Sequence, residues 1–220
     1  MRTLSPCAGR FAGHSHCGLI ADRSNAGVGG TEGNARLTAT TAVVLLVLLA
    51  AEGATIPFVG QYLTLHVFLG VALIPPVLLK LGSTAWRFAQ YYRGTREYVV
   101  KGPPHPFMRL VVAPMTVAST LLLFGTGVLL VVPHPQRGLV LGLHKISFIV
   151  WLWAMSLHVL GHLSKLPGLA RGDLVRPLPG FGLRQLAIAG ALVAGTLLAI
   201  AILPAAHTWL HWAGLHHHDG

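Results

Sequence analysis

Thirteen histidines stand in a chain of 220 residues that has only six acids. Imidazole ligates transition metals and moves protons near neutral pH. Four of the thirteen, His66, His144, His158 and His162, fall inside long apolar runs. His144 and His158 are 14 residues apart. At 100° per residue this returns to within about 40° of the same helix face, roughly 21 Å along the axis. His162 follows 18 residues after His144, a whole number of turns. Phe148, Trp151 and Met155 complete the stripe. An ionisable side chain inside a membrane is costly, and it marks a cofactor, a proton path or a substrate path.

The elements that must position these histidines are membrane helices. Hydrophobic residues make up 53% of the chain and charged residues 10%, with a mean hydropathy of +0.65. A soluble domain carries roughly 25% charged residues. The balance excludes a disordered polymer and an ordinary soluble enzyme, and two cysteines exclude a disulfide scaffold. Bilayer-length runs begin at Leu37, Tyr62, Leu110, Gly138 and Leu186. No run alternates with a period of two, which argues against a β-barrel. The fold expected is therefore all-α: an integral membrane bundle of about five transmembrane helices. Four of them form the core that holds the histidines, with a peripheral fifth helix.

Residues 1–36 read as a flexible cytoplasmic tail, 37–204 as the transmembrane domain, and 205–220 as a histidine-rich extracytoplasmic tail. Arg and Lys fix that orientation. They crowd the N-terminal tail, the loop holding Arg93, Arg96 and Lys101, and the loop holding Lys165, Arg171 and Arg176, against Arg137 and Lys145 on the opposite side. The net charge of +10 is thus an inside-positive bias facing anionic lipid, and no nucleic-acid partner is needed to explain it. In the tail, Cys7, His14, His16 and Cys17 cluster, but no fold surrounds them to impose tetrahedral geometry.

Counted from the helix ends, His66 on the second helix and His144 on the fourth lie at similar depth near the outer side. Two imidazoles so placed suit a haem with one axial histidine on each face. His158 and His162, lower on the fourth helix, are where a second, inner haem would be held. Around these residues the segments L-H-V-F-L-G, L-G-L-H-K-I-S-F and S-L-H-V-L-G-H resemble the b-type cytochrome membrane subunits. These are the cytochrome b561 proteins and the cytochrome b subunits of formate dehydrogenase and nickel–iron hydrogenase. The resemblance runs from about residue 38 to 166. It implies haem b, with His66 and His144 as outer ligands and His158 on one side of an inner haem. It also implies an electron-transfer subunit of an oxidoreductase, in contact with quinone or a redox partner subunit. Two-haem members bring a fourth histidine from the first helix, and this chain has none there. The position 14 residues below His66 is Lys80, a cation at neutral pH and a poor ligand, and the inner candidates are Met115 and His105, so one haem is expected before two.

Around the ligands, Gly70, Gly125 and Gly127 would give a porphyrin room, and Pro75-Pro76 must interrupt the second helix. Glu52 is the acid inside an apolar run, expected to pair with Arg137 or Lys145 at the interface. His207 and His211, one turn apart, form a candidate metal site in the C-terminal region. No nucleophile elbow, phosphate loop or paired-carboxylate site occurs, so any catalysis would be redox chemistry through bound cofactors. Two other classes compete: a small transporter or transition-metal-handling protein using the membrane and C-terminal histidines, and a non-catalytic membrane anchor.

Overall fold

The computed structural model describes residues 30–100, 106–132, 136–162, 168, 171–172, 175–176 and 178–216, with side chains as far as residue 204. The cluster of Cys7, His14, His16 and Cys17, together with His105, lies outside them. Helix α1 covers Gly30–Thr55, and a 3-10 turn, Ile56–Phe58, links it to α2, Val59–Ala72. Helix α3 covers Ile74–Tyr92 and the short α4 Arg96–Val100. A π-turn, Met108–Val112, leads into α5, Ala113–Val131. Helices α6, Arg137–His162, and α7, Phe181–His216, complete an all-α bundle without strands among the described residues.

Four continuous helical stretches are long and apolar enough to cross a membrane: Gly30–Tyr92, Met108–Val131, Arg137–His162 and Phe181–Pro204. The first, at 63 residues, is two passes. Phe58 (φ −120°, ψ 26°) and Tyr62 (φ −110°, ψ 25°) leave the helical region and reverse the chain. Antiparallel bonds then join the two arms. Asn34 Nδ2 donates to the Ser83 carbonyl at 3.2 Å, and Lys80 Nζ to the Thr38 carbonyl at 2.8 Å. This gives the five passes the apolar runs imply.

Helix α1 begins at Gly30, ahead of the apolar run that starts at Leu37. Glu32 in its first turn suits the positive end of the helix dipole. Arg36 bonds Glu32 at 3.3 Å and reaches the Gly172 carbonyl at 2.8 Å and the Arg176 carbonyl at 2.7 Å. This basic end of the bundle also carries Arg109, whose guanidinium lies 5.2 to 5.9 Å from the ring centres of Phe88, Tyr91 and Tyr92. Arg184, 2% exposed, ties the start of α7 to the Pro179 carbonyl. Arg137 and Lys145 stand toward the other end.

Helices α5 and α6 pack as an antiparallel pair along a buried seam of Thr116, Thr120, Ser147 and Ala154. Thr116 and Thr120 hydroxyls donate back to carbonyls one turn earlier, at 2.7 and 2.6 Å, which hides their polarity from lipid. Trp151 Nε1 crosses to Thr120 Oγ1 at 3.1 Å. The opposite face of α6, with Leu139, Ile146, Trp153 and Leu160, is exposed and suits lipid.

The last helix is not peripheral. Helix α7 packs along α2 and α3, and the reason lies in the prolines. Pro75 and Pro76 have no N–H, so the carbonyls of Val71 and Ala72 lose their helical donors, and the helix is interrupted at Leu73. Gly195 of α7 lies against the freed Ala72 carbonyl so closely that a methyl group there would overlap it. Substituting Gly195→Ala should cost about 1–3 kcal/mol through overpacking. Gly190→Ala, where a methyl meets open space, should leave stability unchanged or slightly raised. Unfolding of both variants in mixed detergent micelles measures the difference.

Candidate functional site

Near the end of the bundle opposite the basic one, α1, α2, α5 and α6 bring polar side chains into one layer. Val67 of α2 packs against Leu130 of α5 and Val140 and Leu141 of α6, which fixes the depth of neighbouring His66. His144 sits on the inward stripe of α6, on the same face as buried Trp151 and half-buried Met155. Val67 and Leu141 share that packing, so His66 and His144 stand in the same layer on separate helices.

Hydrogen bonds settle which ring nitrogen each uses. Thr55 Oγ1 gives its one proton to the Glu52 carbonyl at 2.6 Å. The same oxygen lies 2.9 Å from His66 Nδ1, and Glu52 Oε1 lies 3.0 Å from it. Neither a committed hydroxyl nor a carboxylate oxygen can donate, so His66 Nδ1 is the donor, and in the neutral ring Nε2 keeps the lone pair. On the facing helix pair, Thr126 Oγ1 donates to the Leu122 or Leu123 carbonyl, at 2.8 or 3.0 Å. His144 Nδ1, 3.0 Å from that oxygen, must again be the donor. In the neutral state both imidazoles thus present an unprotonated Nε2, the form that ligates a metal.

Two glycines make room for this arrangement. A Cβ on Gly127 would lie 3.2 Å from His144 Cε1, and one on Gly70 would lie 3.4 Å from Glu52 Oε1. Gly125, by contrast, has open space beside it.

Glu52 does not pair with Arg137 or Lys145 as expected. The reversal at residues 56–62 folds α2 back along α1, so the nearest polar partner comes from its own hairpin, His66. Its second oxygen, Oε2, is buried without a partner among the described residues, as is Arg137 Nε. Thr55 and Thr126 were not legible as site residues, because a membrane threonine usually only caps its own helix.

Toward the basic end, His158 and His162 meet each other. Their rings stack 4.7 Å apart at 24°, and His162 Nδ1 donates to the His158 carbonyl at 2.9 Å. The Lys80 ammonium is bonded to the Thr38 carbonyl of α1. Met115 stands on the outward side of α5, 36% exposed, so it offers His158 no ligand from inside the bundle. His207 and His211 lie on the helical backbone of α7, beyond the described side chains. Among the described residues, no group of three or more His, Cys, Asp and Glu side chains could hold a metal ion.

Long-range ¹H–¹⁵N spectra of histidine-labelled protein should show Nδ1–H tautomers at His66 and His144. Thr126→Val should release His144 into a tautomer mixture and leave His66 unchanged.

Compared with protein-family models, with curated proteins and with solved structures, the chain matches none. The arrangement of its own residues carries the functional reading.

Proposed function

We propose that the protein is a membrane-bound b-type cytochrome that holds haem b between His66 and His144. It would carry electrons between a quinone or redox partner subunit and the other membrane face. One observation carries the reading: two imidazoles in one layer on separate helices, each with Nδ1 held by a threonine hydroxyl and Nε2 left for a ligand. Two ligands, with no third among the described residues, suit an iron whose equatorial positions a porphyrin already fills, whereas a bare transition ion needs three or four protein ligands.

The donor set fits the group in a second respect. Arg137, with a buried Nε lacking a partner among the described residues, places a cation at this end for a propionate. When bound, haem b supplies reversible one-electron storage. The chain's own residues do the rest. Thr55 and Glu52 orient His66, Thr126 orients His144, and Gly127 leaves the space that the His144 ring occupies. The apolar helices around them keep water away.

One haem per chain is the expected stoichiometry, because His158 stacks on His162 and Lys80 is tied to Thr38. By the distribution of Arg and Lys, the basic end faces the cytoplasm and the haem lies in the outer half of the membrane. A C-terminal fusion to a reporter active only outside the cytoplasm should then be active, and an N-terminal one silent.

Protein made with haem supplied and purified in detergent should show a Soret band and a dithionite-reducible α-band. His66→Ala or His144→Ala should lose most of the bound haem, whereas His158→Ala should retain it. A colourless wild-type preparation would overturn the reading.

A further inference from the structure

The two ligands differ in what lies behind them. His144 Nδ1 donates to a neutral hydroxyl, Thr126, at 3.0 Å. His66 Nδ1 donates to the Thr55 hydroxyl at 2.9 Å and also to a carboxylate, Glu52, at 3.0 Å. That carboxylate has a side-chain exposure of 14%, and its outer oxygen is buried without a partner among the described residues. No Lys or Arg forms an ion pair with it there, so its charge is directed at the imidazole.

We infer that Glu52 is a positioning residue that makes His66 the more strongly donating of the two ligands and so lowers the electron affinity of the bound haem. The inference rests on the haem reading above. A carboxylate that accepts the Nδ1 proton pulls it partly away and leaves more electron density on Nε2. Ferric haem carries one more positive charge than ferrous haem, and a nearby negative charge favours the ferric form. In a dry, low-dielectric interior that preference is strong. Thr126 supplies orientation to His144 without charge, so the asymmetry belongs to Glu52 alone.

The test is a redox titration of the haem-loaded protein with three variants. Glu52→Gln keeps an oxygen that accepts from Nδ1–H but removes the charge. It should retain haem, raise the midpoint potential, and shift the near-infrared charge-transfer band that reports axial-ligand donor strength. Thr126→Val should move the potential less. Glu52→Asp, which keeps the charge at shorter reach, should fall between the wild type and Glu52→Gln, and it decides the matter if Glu52→Gln fails to hold haem. Haem-loaded Glu52 variants with the wild-type potential and band position would overturn the inference while leaving the haem reading intact. Absence of haem from the wild type would remove both.

Discussion

The hydrocarbon interior offers no water, so each polar group placed there must find its partner within the protein. Most features of the bundle follow from that constraint. Threonine hydroxyls donate to carbonyls of their own helix. Lys80 reaches across to the Thr38 carbonyl, and Trp151 to Thr120. The same constraint determines the chemistry of the histidine layer. A threonine that has already given its proton to the backbone can only accept, and the imidazole beside it must donate from Nδ1. Which ring nitrogen is left free is thus a by-product of how the helices hide their hydroxyls.

The apolar runs placed α5 and α6 to within a few residues, because in a bilayer the hydrophobic pattern is itself the constraint. Departures occur where the partners are distant in sequence. Helix α1 extends back to Gly30 through Glu32 and Asn34, polar residues that an isolated reading assigns to a tail. Their structure comes from Ser83 and from loop carbonyls contacted by Arg36. Helix α7, rich in Ala and Gly, is expected at the periphery but packs along α2 and α3. Between membrane helices, small residues are what permit close approach, so the same composition marks a packed helix.

Depth counting was enough to bring His66 and His144 together, since rise per residue fixes height in a bilayer. It could not supply the surroundings of the rings. Glu52 was legible in principle: it and His66 lie equally far on either side of Val59, at the chain reversal. Thr126 left no comparable signal, since its position relative to His144 depends on the register of two helices joined by a loop. Lower on α6, His158 has the right spacing from His144 but stacks on His162. Spacing along one helix says nothing about what the neighbouring helices bring to meet it.

The contact between Ala72 and Gly195 bears on the order in which the molecule is made. The second pass is made with the Ala72 carbonyl stripped of its helical donor, and α7, the helix that lies against it, is made two passes later. Until then the defect faces lipid, lipid headgroups or the insertion machinery. The pass that carries His66 therefore lacks this contact until α7 has been made. Packing around the histidine layer is completed only then, and a chain cut before α7 would fail at a point remote from the cut.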